Sequence, residues 1–180
     1  MARPLRDTAA GWFHVYTHSV WTADLFRDDL DRVYFLRELA RAGAKARWRC
    51  LAYCLMKTHH HLLLEVDDGA LPVGMQALNF RYAIGFNVRY AAKGHVHGGR
   101  YGARRLNGSD DVVAAFRYLA LNPVDAMLCA TPAAWPWSSY AETIGVRQST
   151  SFVDVDRLLG CLDEPRERAI GALRRYVEKP

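Results

Sequence analysis

Three consecutive histidines, His59 to His61, are the residues of this sequence whose type and spacing could do chemistry. They lead into the apolar segment Leu62–Val66, and such a run predicts a buried strand. Side chains alternate across a strand, so His59 and His61 share one face while His60 points to the other. The backbone sites of the pair are then about 7 Å apart. Two imidazoles at that separation can reach one cation or one phosphate, although ordinary structural histidines remain an equal alternative.

A second pair with the same spacing, His95 and His97, lies in a stretch that also holds Gly94, Gly98 and Gly99. This composition predicts a loop, and loops hold site residues less rigidly than strands and helices do. We therefore expect this second pair to contact nucleic acid rather than to bind a metal ion.

Tyr118 and Asn122 form a further candidate, on a helix that we predict to begin at Ser109. Residues four apart lie on one face of a helix, one turn from each other. Pro123 disfavours the α conformation at the residue before it, so the helix should end at Asn122. Taken singly, a core aromatic residue and a polar residue that closes a helix are the more ordinary interpretations.

The charge of the chain is unevenly distributed. The 180 residues carry a net charge of +5, yet residues 71–109 contain six Lys or Arg and no Asp or Glu. Aromatic residues lie among these cations, a composition typical of a nucleic-acid surface. An ordinary solvated basic face over core aromatics is the alternative.

The composition also argues against several classes of protein. No segment approaches the roughly 20 apolar residues of a membrane span, and the first residues of the sequence do not resemble a secretory signal. The four cysteines are scattered and show no Cys-x-x-Cys zinc motif. We expect reduced thiols and a cytoplasmic protein.

The pattern along the chain predicts a strand over 11–18, a helix from 26 to a stop at Gly43, strands over 47–55 and 59–66, a helix over 71–92 and a strand over 100–106. That order is typical of an α+β ferredoxin-like sandwich, with a central antiparallel sheet and helices on one face. His14, Tyr16 and His18 share one face of the first strand, where we expect structural roles. We assign 8–141 to this domain and 142–180 to a C-terminal helical extension, interrupted at Pro165.

Several stretches resemble one known family. Met56–Leu63 resembles the His-hydrophobic-His motif of the HUH single-strand transposases, and more narrowly that of the REP-associated tyrosine transposases with an IS200-like domain, whose usual form is Met-Pro-Asn-His-Val-His-Leu-Leu. Four other segments agree in order and spacing: Phe26–Asp29, Phe86–Tyr90, Tyr118–Val124 and Trp135–Ser139. The chain departs from the family at His60, at Lys57-Thr58 and after the first strand, where the usual Asn-Arg-Gly is missing.

The resemblance implies a ferredoxin-like fold and a role for each candidate. Tyr118 would be the nucleophile, forming a 5′-phosphotyrosine and freeing a 3′-OH. His59 and His61 would bind Mg²⁺ or Mn²⁺, and Asn122 stands where these enzymes often carry glutamine as a third ligand. The partner would be single-stranded or hairpin DNA, without a membrane or a small-molecule cofactor, and both a monomer and a homodimer stay open. A water-using metal nuclease and a non-catalytic nucleic-acid binder are the alternatives.

The basic segment supplies the expected DNA contacts. Arginine side chains neutralise phosphates, and aromatic rings stack on unpaired bases. We predict phosphate contacts from Arg81, Arg89, Arg100, Arg104 and Arg105, and base stacking on Tyr82 and Tyr90.

Overall fold

The computed structural model describes residues 8–20 and 23–179, and its elements follow the predicted order. The sheet-forming unit consists of β1 (Gly11–His18), α1 (Asp29–Ala46), β2 (Arg49–Leu55), β3 (His59–Val66), α2 (Ala70–Arg89) and β4 (Gly102–Leu106). It is followed by α3 (Ser109–Asp125), α4 (Tyr140–Thr143), α5 (Val155–Leu159) and α6 (Arg166–Glu178), with short 3-10 turns at Pro132–Ala134 and Gly160–Leu162.

The described residues form an antiparallel sheet with the strand order β2-β3-β1-β4. This order confirms the ferredoxin-like sandwich and places β3 in the interior of the sheet. β1 pairs with β3 along its whole length, so that His18 lies opposite His59 and Tyr16 lies opposite His61. The register therefore brings the histidine-rich faces of two neighbouring strands side by side.

Both faces of the central strands are covered. The helices α1 and α2 pack on one face, where the ring of His60 lies 4.6 Å from the ring of Phe35 in α1. On the other face, α3 places Tyr118 against His61. Leu62 and Leu64 on one face and Leu63 on the other are consequently all fully buried, which explains why the β3 sequence is apolar without alternation.

Trp48 explains why α1 is longer than predicted. A side chain at Gly43 would collide with the Trp48 indole, and so would a side chain at Gly74 in α2. Gly43 thus makes room for the indole between the helices instead of ending α1. The helix continues to Ala46 and ends at Arg47, which adopts the left-handed conformation with φ 57°.

α3 also runs further than the sequence predicts, because Pro123 lies inside it and not beyond its end. Proline removes one helical N–H donor, but the flanking bonds survive. The carbonyl of Asn122 accepts from Ala126 N at 3.0 Å, and that of Pro123 accepts from Leu128 N at 2.9 Å. The prediction that the helix ends at Asn122 is therefore wrong, and Asn122 is held within the helix, on the turn that follows Tyr118.

The chain after α4 packs on the same core. Arg157 donates to both carboxylate oxygens of Glu65 in β3, at 2.8 and 2.7 Å. Leu158 and Leu173 are fully buried members of the hydrophobic core. No described helix has the length and apolarity to span a bilayer, and the four cysteines are free.

Candidate active site

The two candidate histidines of β3 lie together on the face that α3 covers. The ring centroids of His59 and His61 are 5.0 Å apart, with the rings nearly perpendicular at 80°. His61 is buried, whereas His59 is half-buried at the edge of the site. The predicted pairing of these side chains on one face is confirmed by the register of β1 and β3.

The Nδ1 atom of each ring lies within hydrogen-bonding distance of a neighbouring polar group. His61 Nδ1 lies 3.0 Å from Nε2 of His14 in β1, and His59 Nδ1 lies 3.1 Å from the hydroxyl of Thr58. Such partners set the orientation and the tautomer of a histidine. With their Nδ1 atoms engaged, the two rings can offer only Nε2 to a ligand.

α3 adds a carboxamide and a phenol to the pair. Asn122 Nδ2 lies 3.3 Å from His61 Nε2, and the same amide is within hydrogen-bonding reach of His59. The ring of Tyr118 stands edge-on to His61 at 5.3 Å and is 5.6 Å from the ring of His14. Tyr118 is 49% exposed, so its phenol is open to solvent above the imidazoles.

The structure also brings β1 residues into the site, for which the sequence favoured structural roles. His14 contacts His61 directly, and the ring of His18 lies 5.1 Å from that of His59. Arg104 of β4 pairs with His14 across the strands and is exposed. The alternation of β1 put His14 and His18 on one face. Only the pairing register of β1 with β3 shows that these side chains lie beside His61 and His59.

Burial keeps these imidazoles neutral. Burial, together with the neighbouring histidines, lowers the pKa of His61 to about 3. Burial, with Arg104 nearby, lowers the pKa of His14 to about 4. The pKa of His59 is lowered as well, chiefly by burial and then by His18. At neutral pH the rings therefore offer lone pairs, as metal ligation requires.

The donor set fits a divalent cation, provided that the Asn122 amide presents its oxygen. Among the described residues, no group of three His, Cys, Asp or Glu is arranged to hold a metal ion. The candidate set is therefore two neutral imidazoles and the amide of Asn122. That amide must turn its oxygen towards the rings, because its nitrogen cannot ligate, and the remaining positions would go to water or phosphate oxygens. A mixed set of imidazole and oxygen donors is compatible with Mn²⁺ or Mg²⁺ and does not select between them, and the metal stays a prediction.

Comparisons with solved structures show what this chain resembles in fold. No protein-family model matches the sequence, and no curated protein matches it significantly. Among solved structures, a REP-associated tyrosine transposase bound to a REP hairpin is similar over 87% of this chain and 90% of that chain, with a TM-score of 0.67. This chain has the fold of that transposase. The two sequences are 13% identical, so the site residues are argued from their own geometry.

On this transposase fold, the structure separates the predicted DNA-contacting arginines into two groups. Arg81, Arg100 and Arg104 are exposed, and their phosphate contacts stay predictions. Arg105 lies on the opposite face from Arg104, where its guanidinium donates to the carbonyls of Ala9 and Ala10, each at 2.9 Å.

The structure corrects the predicted contact of Tyr82 and gives Arg89 acidic partners within the protein, while the phosphate contact of Arg89 stays a prediction. Tyr82 is fully buried, and its hydroxyl donates to the carbonyl of Leu25, so it cannot stack on a base. Arg89 donates to the carboxylates of Asp28 and Asp31, at 2.5 and 2.6 Å, and its charge is balanced there. Tyr90, whose stacking stays untested, donates to Asp31 at 2.9 Å.

Mutation of an exposed arginine and mutation of an ion-paired arginine should have different effects. Arg104→Ala should lower the slope of log binding constant against log salt by about 1, because one phosphate contact is lost. Arg89→Ala should leave that slope unchanged but lower the urea midpoint, because Asp31 is buried and loses its cation. Salt-dependent binding to a single-stranded oligonucleotide and urea unfolding measure both. A reduced slope in Arg89→Ala would show that its ion pairs open to DNA.

Proposed function

We propose that this protein cleaves and rejoins single-stranded or hairpin DNA through a covalent phosphotyrosine at Tyr118. The observation that carries the proposal is the convergence on one face of the sheet of an exposed phenol, two neutral imidazoles and a carboxamide. These groups come from segments that are far apart in the sequence, namely β3 and α3. The similarity in fold to a transposase that was solved bound to a REP hairpin supports DNA as the substrate.

In the proposed reaction, the Tyr118 oxygen attacks a phosphorus atom of the DNA backbone. The bond from phosphorus to the 3′-oxygen breaks, and the strand is left with a 5′-phosphotyrosine and a free 3′-OH. The phenol loses its proton to solvent, which reaches Tyr118 because the residue is 49% exposed, and the leaving oxygen takes one up. One phosphodiester replaces another, so rejoining by the reverse reaction needs no ATP.

The other site residues hold and polarise the phosphate. A bound divalent cation would act as a Lewis acid on the scissile phosphate. His59, His61 and Asn122 would hold it, while His14 and Thr58 keep the two rings oriented through their Nδ1 atoms. Arg104, exposed on the same face, would neutralise a neighbouring phosphate.

The deciding experiment is a covalent trap. Wild-type protein incubated with a hairpin oligonucleotide and Mn²⁺ should give a protein–DNA adduct on a denaturing gel, and Tyr118→Phe should give none. Tyr16→Phe is the matched control. Tyr16 is also exposed on this face, 6.3 Å from His61 in ring separation, but its ring packs over Gly102, so this variant should still form the adduct.

Each other outcome contradicts the proposal in a different way. Cleavage without an adduct would indicate a nuclease that uses water, and binding without cleavage would indicate a non-catalytic binder. An adduct that survives Tyr118→Phe but not Tyr16→Phe would move the nucleophile from α3 to β1.

A further inference from the structure

A cleft lies between α2 and the glycine-rich loop 94–100, next to the end of β1. Its volume is about 520 Å³, within the range of ligand pockets in proteins. Its walls are formed by Val20, Asn79, Phe80, Ala83 and the loop itself, from Gly94 to Arg100. We propose that this cleft binds one unpaired nucleotide of the DNA strand whose phosphate lies at His59 and His61, an inference that rests on the proposed function.

The cleft offers an aromatic ring on which a base can stack and a cation that can contact a phosphate. Phe80 is 65% exposed although it is a large apolar ring, and an exposed aromatic ring is the usual surface on which unpaired bases stack. Arg100 lines the same cleft and is exposed. Among the described residues that line the cleft there is no Asp or Glu to repel a phosphate.

The loop that forms one wall is fixed to the sheet. Gly98 N donates to the carbonyl of His18 at 2.9 Å, and Val20 N donates to the carbonyl of Val96 at 3.2 Å. His97 Nε2 lies 3.2 Å from the carbonyl of Asn79 in α2, which ties the loop to the other wall. The cleft is therefore held open by hydrogen bonds to both of the elements that flank it.

Glycine at position 98 is what permits this close approach. A Cβ there would come within 2.6 Å of the Ser19 carbonyl oxygen, so any side chain would push the loop away from β1. Gly94 and Gly99 have open space where a side chain would be. The loop therefore has no side chain at positions 94, 98 and 99, and the volume of the cleft leaves room for a base beside Phe80.

The position of the cleft relates it to the active site. Gly98 is bonded to His18, and His18 is paired with His59 across the sheet. A strand with its phosphate at His59 and His61 thus needs to pass only the end of β1 to place a neighbouring base on Phe80. Duplex DNA cannot enter in this way, because its bases are already stacked and paired. The cleft would therefore favour unpaired flanking nucleotides over duplex.

The test uses the full chain with Tyr118→Phe, so that the strand is not cleaved, and a short single strand in which one 2-aminopurine is moved from position to position. Stacking on Phe80 should quench its fluorescence at one position. Phe80→Ala should abolish that quenching and weaken binding roughly tenfold, while Phe80→Trp should restore both. Val88→Ala is the control, since Val88 is 78% exposed on the same helix but does not line the cleft.

The outcomes separate this proposal from the one on which it rests. If wild-type protein forms the Tyr118 adduct but Phe80→Ala binds and quenches as the parent does, only the cleft assignment is wrong. Equal losses in Phe80→Ala and Val88→Ala also overturn it, as does equal loss of affinity for single strand and duplex. Failure of every DNA probe to bind overturns both proposals.

Discussion

His61→Ala should reduce DNA cleavage by roughly 1,000-fold, since a Lewis acid at a phosphoryl oxygen contributes several kcal/mol to the transition state. His61 stands at the centre of the site, in contact with His14, Asn122 and the Tyr118 ring. Losing its imidazole removes a proposed cation ligand and the group against which Tyr118 is placed. The rate of strand cleavage with saturating Mn²⁺, and the affinity for Mn²⁺ by titration, measure the effect.

The neighbouring His60 gives a matched control with the opposite expectation. Its ring is fully buried on the other face of the sheet, and neither ring nitrogen has a hydrogen-bond partner among the described residues. A buried polar group without a partner costs about 1–3 kcal/mol, so His60→Leu should raise the free energy of unfolding by about that amount and leave cleavage intact. The resembled family also carries a hydrophobic residue here.

Comparing His61→Ala with His60→Leu separates an effect on cleavage from an effect on folding. Circular dichroism and urea unfolding must show that His61→Ala is folded, and His61→Gln supplies a second variant in which the site keeps a polar side chain. A His61→Ala protein that is folded and cleaves at the wild-type rate would remove His61 from the mechanism. A destabilised His60→Leu protein would show that water or another group satisfies the His60 ring.

The fold could be predicted from the sequence because its signals are local. Strand and helix periods and the order of the elements are set by nearby residues, and the antiparallel ferredoxin-like order follows from them. The ends of α1 and α3 were missed for non-local reasons. Gly43 makes room for Trp48, a residue that follows the helix. Pro123 is tolerated because it costs only the bond of its own missing N–H, while Ala126 N and Leu128 N still donate to the carbonyls of Asn122 and Pro123.

The candidate site was predicted in part, for the same reason. His59 and His61 follow from alternation on one strand, and Tyr118 and Asn122 from spacing on one helix. His14 enters the site only through the pairing of β1 with β3, which no single segment encodes. The sequence did not show that Tyr82 is buried or that Arg89 forms ion pairs, because their partners, Leu25, Asp28 and Asp31, are about 60 residues earlier in the chain.

The other large expected effect is a loss of stability in mild acid. The pKa of His61 is lowered from 6.5 to about 3, and that of His14 from 6.5 to about 4, because both rings are buried. In the unfolded chain these histidines would titrate near 6.5. Between pH 6.5 and about pH 4 the unfolded state therefore binds more protons than the folded state. The free energy of unfolding must then fall as the pH falls.

The size of the effect follows from the two shifts. Each histidine that is protonated only in the unfolded state contributes about 1.4 kcal/mol per pH unit, so His14 and His61 together should cost roughly 4 kcal/mol between pH 6.5 and about pH 4.5. His59, His60 and His97, whose pKa values are also lowered mainly by burial, act in the same direction. Since domains are stable by about 5–15 kcal/mol, the protein should be close to unfolding at the lower pH.

Urea unfolding at several pH values measures this dependence, and a double variant provides its control. His14→Gln with His61→Gln keeps polar side chains at both positions but has no imidazole to protonate there, so its loss of stability over this pH range should be smaller than that of the wild type by roughly 4 kcal/mol. A wild-type urea midpoint that stays constant from pH 6.5 to about pH 4.5 would mean that these rings gain protons in the folded state. They would then carry positive charge side by side under Tyr118, and such a site would attract phosphate by charge instead of by ligating a cation.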